Sequence, residues 1–362
     1  MVKSTTAKKS LTTEVKKPAE TKPAVAGLDY HKKFTQICVG DAQGKVIATR
    51  RVVNDKEEMR RFFTEFPNLR CAIESCRGYE WLVNFLKEEL KLDVVLVNAH
   101  RLKLIAQSRC KTDKIDARII MEMLSIGFLP TCYLPTAEER RLRERLRWRA
   151  HLVRYATRMK VRIHAMLDKE NLSQVIEDPF TNSGRNLLSQ VQLLPGRQEL
   201  LEEHIDLLEK FEKLVKAENT WVDRELRQNA DARLLLSIPG IGNLTALLIW
   251  CELGDISRFK DASQVAAYFG LVPSVRSSAD HWSYGPITKE GSKFVRWMLI
   301  QCAWQAVRSS LVLRSHFNSV SKRAGKNGAI VSVARKLIKI AYRVLRDKRA
   351  FYPELVGRQV TG

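Results

Sequence analysis

The sequence has 362 residues, 45% of them hydrophobic, and a formal net charge of +22 at pH 7. This length predicts two or three domains with a substantial buried core, and a charge this positive indicates a polyanionic partner, most often nucleic acid. Binding to a membrane surface is the alternative. However, the sequence lacks the apolar run of about 18 residues that a membrane-spanning helix needs, so no membrane partner is expected.

The seven cysteines include no Cys-x-x-Cys pair, which argues against a zinc ribbon and a disulfide framework. We therefore expect reduced, mostly buried thiols and a cytoplasmic location. No apolar segment follows the Lys-rich N terminus, so no signal peptide is predicted. Residues 1–24 contain almost no large apolar side chain and are predicted to form a disordered basic arm. This arm would act either as an electrostatic tether to nucleic acid or as a solubilising tail.

Residues 25–130 alternate between short apolar runs and amphipathic stretches, which predicts a mixed α/β domain. The predicted strands are 24–29, 34–39, 46–53, 70–74 and 92–97. Helices are predicted over 56–66 and 79–90, and a further helix begins near Asp113. The order of three strands, helix, strand, helix, strand and helix is that of the ribonuclease-H-like, or RuvC-like, fold. In that fold the first and fourth strands are neighbours at the centre of the sheet.

Four acids stand where this fold would bring them together. Asp29 and Glu74 end the first and fourth predicted strands, whereas Asp113 and Asp116 lie three residues apart on one face of the following helix. Four carboxylates can hold two Mg²⁺ ions, and two such ions about 3.5–4 Å apart stabilise both the entering and the leaving oxygen at phosphorus. Alternatively, Asp29 only caps a turn, Glu74 is a surface acid, and Asp113 and Asp116 merely favour a helix N terminus.

Residues 131–230 are predicted to be helical over most of their length. The helix from 136 to 171 carries ten basic residues between positions 140 and 162, opposed only by Glu138, Glu139 and Glu144. This imbalance predicts contacts with backbone phosphates, for which Arg147, Arg154 and Arg158 are the candidates, rather than a merely solvated face. Residues 198–228 have apolar residues near heptad spacing, which predicts a coiled coil. That segment would fold back on the basic helix or pair with another subunit.

Residues 231–350 are predicted to form a mostly helical C-terminal domain, followed by a tail over 351–362. Positions 234–246 resemble a helix-hairpin-helix, in which Gly240 and Gly242 would let the backbone approach a phosphate without reading sequence. An ordinary corner between two helices is the alternative. Gly, Pro and Ser predict a loop over 268–282. A helix is predicted from 285 through 307, and a final basic helix over 332–349.

Several of these segments carry the motifs of one family. They are Gly27-Leu28-Asp29-Tyr30-His31-Lys32-Lys33, Ile73-Glu74-Ser75, Lys111-Thr112-Asp113-Lys114-Ile115-Asp116-Ala117-Arg118, the Ile-Pro-Gly-Ile-Gly turn that ends at Gly242, and Gly270-Leu271-Val272-Pro273. With these motifs the chain resembles the insertion-sequence transposases of the IS110 and IS1111 group, the bridge-RNA-guided DEDD recombinases related to the Piv invertases. The resemblance covers nearly everything after the basic arm.

The resemblance implies a nucleophilic serine five residues after Pro273, which is Ser278. The family usually has glycine next, where this chain has Ala279, and Ser277 is adjacent, so the assignment between the two serines stays open. Ser278 would form a covalent phosphoserine with DNA, and metals at the four acids would lower its pKa. Arg276, His281, Lys289 or Arg296 would neutralise the phosphate or protonate the leaving oxygen.

The resemblance also implies the partners of the protein. They are a bridge RNA that guides the reaction, donor and target double-stranded DNA, and further copies of the chain, as a dimer or as a tetramer in the synaptic complex. The location would be the bacterial cytoplasm, at the nucleoid. A RuvC-like nuclease that uses metal-activated water and a non-catalytic scaffold that binds nucleic acid are the rival interpretations.

Overall fold

The computed structural model describes residues 24–105, 113–278 and 281–352. These residues form two compact units that divide between Leu134 and Pro135. The first unit is a mixed α/β structure and the second is mostly helical, which confirms the predicted α/β-plus-α class. The predicted arm, except Ala24, and nearly all of the predicted tail lie outside the described residues.

The N-terminal unit contains every strand that the sequence predicts, and one more. Its strands are β1 (Val25–Tyr30), β2 (Phe34–Gly40), β3 (Val46–Val53), β4 (Arg70–Glu74), β5 (Asp93–Val97) and the short β6 (Thr131–Cys132). Its helices are α1 (Lys56–Thr64), α2 (Glu80–Asn84, continued as π-helix over Phe85–Glu89), α3 (Ala99–Ile105) and α4 (Asp113–Ser125).

These strands form one six-stranded sheet in the order β3-β2-β1-β4-β5-β6. Strand β1 runs antiparallel to β2 and parallel to β4, and β4 runs parallel to β5. The alternation of side chains along β1 sends Ala26 and Leu28 into a core shared with α1 and α2. Val25 lies on the other face, in a separate core with Ala117 and the rest of α4. The sheet therefore has helices on both faces.

Gly27 is where α4 comes closest to the sheet. A Cβ atom at this position would lie 2.1 Å from Ala117 O and 2.5 Å from Met121 N, both backbone atoms of α4. Real Cβ atoms do not approach backbone this closely, so only glycine allows the helix to rest directly on β1. This contact fixes the height and the register of α4 over the central strand.

The C-terminal unit is built from helices and one hairpin. Its helices are α5 (Ala137–Lys169), α6 (Asn182–Leu188), α7 (Pro195–Gln228), α8 (Ala230–Leu234), α9 (Asn243–Leu253), α10 (Ala262–Tyr268), α11 (Lys293–Ser309) and α12 (Leu311–Asp347), with 3-10 turns at Leu235–Ser237 and Ile256–Arg258. Strands β7 (Pro273–Ser278) and β8 (His281–Ile287) pair antiparallel.

Helix α5 begins with a capping box, in which Thr136 and Glu139 each satisfy a free backbone N–H of the other residue. Helix α7 folds back on α5, and a core that includes Ile163, Leu167, Leu201 and Leu208 fills the space between them. Within this chain, the first of the two arrangements predicted for the heptad segment is therefore the one found. A second core joins α9, α11 and α12.

The structure corrects three boundaries of the sequence prediction. Residues 273–278 and 281–287 form the paired strands β7 and β8, where a loop and the start of a helix were predicted. Helix α11 consequently begins at Lys293 and not near 285. Within α12 the backbone leaves helical geometry at Gly325, where φ is 69°, so the helical segment that contains the predicted helix begins directly after Gly325 and not near 332.

None of the helices in the described ranges combines the length and the apolar character needed to cross a bilayer. The six described cysteines are free thiols. Cys38, Cys71, Cys251 and Cys302 are buried, and the other two are half-buried. The prediction of mostly buried thiols is thus confirmed for this part of the chain.

Replacing Gly27 with alanine is expected to destabilise the N-terminal unit, because the new methyl group would force α4 away from β1. Overpacking of this kind costs about 1–3 kcal/mol, which should lower the melting temperature followed by circular dichroism. The control is Gly196→Ala in α7, where an added Cβ meets nothing within 4 Å. A Gly27→Ala variant as stable as the parent protein would contradict the close contact.

Candidate functional site

Asp29 and Glu74 lie side by side at the edge of the sheet where its central parallel strands end. The register pairs Leu28 with Ile73, so Asp29 and Glu74 are the next residues of β1 and β4. Successive residues of a strand face opposite sides of the sheet. Asp29 therefore shares a face with Gly27, and Glu74 shares a face with Ala72. Both are on the side covered by α4.

Helix α4 runs opposite to β1, so its first turn lies over the same edge. Ala117 contacts Gly27, whereas Ser125, two turns later, lies against Gly44 beyond the amino end of β1. Asp113 precedes Ala117 by four residues, or about 6 Å along the helix. Asp29 follows Gly27 by two residues, or about 6.6–6.8 Å along the strand. The start of α4 therefore comes to the level of Asp29 and Glu74.

Asp29, Glu74 and the first turn of α4, which carries Asp116 and the backbone of Asp113, thus lie at one edge and on one face of the sheet. Asp116 is half-buried in the first turn of α4. The backbone of Asp113 belongs to the same turn, but its side chain lies outside the described residues, as do Lys111 and Thr112. Among the described side chains, no three His, Cys, Asp or Glu residues come close enough to hold a metal ion.

The pKa of Cys76 reports the local electrostatic potential. Burial, followed by the negative charges of Glu74 and Asp29, raises the pKa of this thiol to about 11. Cys76 therefore remains a neutral thiol near pH 7 and is a poor nucleophile.

His31 is a site residue to which the sequence analysis gave no role. Its Nε2 lies 3.0 Å from Asp29 Oδ2, and its ring stacks on Phe34 with centroids 4.7 Å apart. Asn54 donates a side-chain hydrogen bond to the His31 carbonyl, which fixes the turn after β1. The sequence could have indicated this role, because His31 follows Asp29 by two residues and residues two apart lie on the same side of an extended chain.

The donor set fits a hard divalent cation. Asp29, Glu74 and Asp116 offer only carboxylate oxygens, which Mg²⁺ prefers, and His31 fixes the orientation of one carboxylate from outside. The start of α4 adds the partial positive charge of a helix N terminus, which favours acids there even without a metal. The chemistry of these acids therefore suits the predicted metal, although Asp29, Glu74 and Asp116 do not by themselves lie close enough together in the structure to hold one.

Many of the basic residues on α5 are neutralised within the protein. Three pairs reach across to α7: Arg141 with Glu225 (3.0 Å), Arg145 with Glu218 (2.8 Å), and Lys160 with Glu212 (2.9 Å). The opposing acids lie some 50 to 80 residues later in the sequence, so the local charge count could not include them. The excess positive charge of α5 is therefore smaller than its own sequence suggests.

Arg143 and Arg147 hold a buried acid. Arg143 is 8% exposed and donates from Nε and Nη2 to the Cys251 carbonyl at 2.8 and 2.7 Å. Glu252, 4% exposed, lies 2.7 Å from Arg147 Nη2 and 3.7 Å from Arg143 Nε. The hydroxyl of Ser292, at the N-cap of α11, lies 3.4 Å from Glu252 Oε1. This cluster of Arg143, Arg147, Glu252 and Ser292 joins α5, α9 and α11.

Arg154 and Arg158, the other two arginines of α5 that were predicted to bind nucleic acid, are exposed. Within the described part of the chain, Arg154 donates only to the Ala150 carbonyl of its own helix, at 3.3 Å. Arg158 lies one turn further along the same exposed side. Of the three predicted residues, Arg154 and Arg158 are thus available to a partner, whereas Arg147 also has a structural role.

The glycines of the 239–242 turn differ in their surroundings. Gly240 has a φ of +83°, and a Cβ there would lie 2.4 Å from the Cys302 carbonyl of α11. It therefore allows close packing within the protein. Gly242 is the N-cap of α9, and an added Cβ would meet nothing within 4 Å. Only Gly242 leaves space for a phosphate at the helix start.

The serine segment lies in the β7–β8 hairpin. Ser277 pairs with Trp282, and Ser278 pairs with His281. Ala279 and the side chains of residues 276–282, including those of Arg276 and both serines, lie outside the described residues. The predicted roles of these side chains therefore remain predictions.

Two further predicted phosphate ligands flank the hairpin. Lys289 is exposed and has a φ of 56°, and its backbone N–H donates to Gly270 O at 3.2 Å. Arg296 donates from Nη1 to the carbonyls of Phe269 (3.2 Å), Gly291 (3.1 Å) and Glu290. Burial lowers the pKa of this guanidinium. Arg296 thus holds the turn between β8 and α11, which is a structural role that the sequence did not indicate.

Comparison with known proteins matches both units to transposases. A model of a DEDD transposase domain, described as a transposase, matches residues 26–171, which contain all four acids. The model for the transposase IS116/IS110/IS902 family matches residues 232–318, which contain the 239–242 turn and the hairpin.

Individual relatives give the same result over most of the chain. The transposase for insertion sequence element IS1111A of Coxiella burnetii is 27% identical over 343 residues, covering 90% of this chain and 91% of that protein. The transposase for insertion sequence element IS1328 of Yersinia enterocolitica is 26% identical, covering 90% of this chain and 97% of that protein. The pilin gene-inverting protein of Moraxella bovis is 33% identical over 34% of this chain and 39% of its own length.

Replacing Arg143 with methionine is expected to lower the free energy of unfolding of the C-terminal unit by about 3–5 kcal/mol, because it leaves a buried carboxylate without one of its partners. Arg158→Met on the exposed side of the same helix is the matched control and should change stability by no more than about 0.5 kcal/mol. Urea denaturation followed by tryptophan fluorescence measures both. Equal stability of the two variants would show that the buried cluster contributes little.

Proposed function

Because the chain belongs to the IS116/IS110/IS902 family of insertion-sequence transposases, and is therefore a DNA-cutting enzyme, we propose that it cuts and rejoins DNA under RNA guidance through a covalent phosphoserine intermediate. The observation that carries the proposal is the convergence of Asp29 and Glu74 with the first turn of α4 at one edge of the sheet. The sheet order, with β1 and β4 adjacent and parallel, supports a ribonuclease-H-like, RuvC-like assignment for this unit.

Asp29, Glu74, Asp113 and Asp116 would hold the divalent metal, which we infer to be Mg²⁺ in a two-ion site. When bound, such ions stabilise charge on the oxygens around a phosphorus atom. The protein's own part is to hold the carboxylates in place. The contact at Gly27 sets the position of α4, and His31 orients the Asp29 carboxylate through its hydrogen bond.

Ser278 would be the nucleophile. Its Oγ would attack the DNA phosphorus and lose its proton to a base, while the bond from phosphorus to the leaving oxygen breaks and that oxygen takes up a proton. A hydroxyl of a second DNA strand would then displace the serine and rejoin the DNA. Ser277 and Ser278 are adjacent positions of β7, and adjacent positions of a strand face opposite sides. Only one of the two can therefore face a given phosphate.

The groups that would assist the serine are Arg276, His281 and Lys289. Arg276 and His281 belong to the hairpin and Lys289 follows it, so all three are close to the serines in sequence. Arg296 is less suited to this task, since its guanidinium already serves three carbonyls. It would instead keep the hairpin in a fixed position relative to α11.

The nucleic acids would be a guide RNA and donor and target double-stranded DNA, bound by a homo-oligomer. A formal net charge of +22 supports binding to backbone phosphates, and Arg154, Arg158 and the space at Gly242 are the described places for it. Such contacts carry no sequence information. Base pairing with the RNA would therefore select the DNA, while the protein recognises shape and charge.

Asp113→Asn is expected to abolish metal-dependent strand cleavage, because the amide keeps the shape of the side chain but removes the charge that a hard cation needs. The fold and the binding of nucleic acid should be retained. The control is Asp93→Asn, at the opposite end of the same sheet, where Asp93 only pairs with exposed Arg70. Cleavage of labelled DNA in Mg²⁺ with the guide RNA present is the measurement. Full cleavage by Asp113→Asn would refute the metal assignment.

Ser278→Ala should prevent formation of a covalent protein–DNA adduct, whereas Ser277→Ala should still form it. The assay traps the adduct on a suicide DNA substrate with the guide RNA present, and peptide mapping then identifies the modified residue. An adduct on Ser277 would reverse the assignment between the serines. Cut DNA without any adduct in the parent protein would instead favour a RuvC-like nuclease that uses water.

A further inference from the structure

A cleft of about 510 Å³ opens between α5 and α11 in the C-terminal unit. This volume is within the range of small-molecule binding sites in proteins. The residues that line the cleft are Arg147, Arg149, Ala150, His151, Val153, Arg154, Thr157, Lys293, Phe294 and Trp297. None of these described lining residues is acidic, and four of them carry a positive charge.

The α11 side of the cleft is aromatic. Trp297 is 54% exposed, which is unusual for the largest apolar side chain. Phe294, one turn earlier on the same helix, stacks on it with ring centroids 6.3 Å apart and an angle of 17° between the planes. The phenyl ring supports the indole from one side, so the indole is held as a flat platform at the cleft.

The α5 side of the cleft is cationic, and two of its guanidiniums are held in place. Arg147 is paired with Glu252, and Arg149 Nε donates to Asn219 Oδ1 at 2.8 Å. Burial lowers the pKa of Arg149, although it remains charged at neutral pH. Arg154 and Lys293 are exposed at the rim. Positive groups on one side therefore face an aromatic platform on the other.

We propose that this cleft binds an unpaired nucleotide of the guide RNA, with the base stacked on Trp297 and the phosphate bound by Arg149 and Arg154. This inference rests on the proposed RNA partner. An aromatic face next to cations, with no acid among the described lining residues, suits a group that has both a π-face and a negative charge, which a nucleotide has. In duplex DNA the bases are stacked inside the helix. Folded RNA, in contrast, presents unpaired bases in loops and bulges.

The test compares binding of the full-length chain to a labelled single-stranded RNA of about 12 nucleotides by fluorescence anisotropy. Trp297→Ala should weaken binding about 5- to 150-fold, the usual effect of removing one stacked base. Trp297→Phe should keep most of the affinity, because it keeps a ring. The control is Trp304→Ala, an exposed tryptophan of the same helix that does not line the cleft.

Salt dependence separates stacking from phosphate binding. Trp297→Ala should leave the slope of log affinity against log salt unchanged, whereas Arg154→Gln should reduce it by about 0.7, the value for one contact with a single strand. A general loss of structure in Trp297→Ala would change its salt slope as well as its affinity, and Trp304→Ala shows whether the loss of an exposed tryptophan of α11 has this effect by itself. These two signatures together support the cleft as the site of one nucleotide.

The outcomes distinguish the cleft from the proposed function. RNA binding by the parent protein that is equally strong in Trp297→Ala overturns the cleft inference and leaves the RNA partner intact. No RNA binding by the parent protein overturns the RNA partner itself. Tighter, Trp297-dependent binding of single-stranded DNA of the same sequence overturns RNA as the occupant. Equal, Trp297-dependent binding of duplex RNA overturns the assignment of an unpaired base.

Discussion

The direct contact of α4 with β1 at Gly27 is the constraint on which the candidate metal site depends. Any side chain at this position would have to occupy space that the backbone of α4 fills. With no side chain in between, the first turn of the helix reaches the level at which β1 and β4 end. Two acids from strands and two from a helix can then share one edge of the sheet. The site thus depends on a residue that has no chemistry of its own.

The positive charge of the C-terminal unit has two separate uses. On the side of α5 that faces α7 and α9, arginines pair with glutamates and hold the helices together. On the exposed side, Arg154 and Arg158 have no acid opposite them within the described residues. Pairs at the surface contribute little stability individually, whereas the buried cluster around Glu252 fixes the positions of three helices. The net charge alone does not distinguish these uses.

Local sequence patterns predicted the elements of the N-terminal unit well, because each strand there is a short apolar run and each helix has an apolar face. The same reasoning failed for residues 273–287, where Gly, Pro and Ser predict a loop and the pairing of β7 with β8 decides otherwise. The acids that neutralise α5 were also missed, since they come from α7 and α9. The role of His31 depends on a turn and on stacking with Phe34, neither of which the motif itself shows.

The buried cluster of Arg143, Arg147, Glu252 and Ser292 has a consequence for how this protein can evolve. If a mutation removed Arg143, the buried Glu252 would lose one of its two arginine partners, and if a mutation removed Glu252, the buried Arg143 would lose its acid. Either change would cost several kcal/mol, on the order of the cost of breaking a buried ion pair. This loss is a large part of the total free energy of unfolding of a typical domain, which is about 5–15 kcal/mol. Positions 143 and 252 should therefore change together among descendants of this chain, or not at all. By contrast, the exposed positions 154 and 158 are free to drift independently of the fold and to follow changes in the nucleic acid.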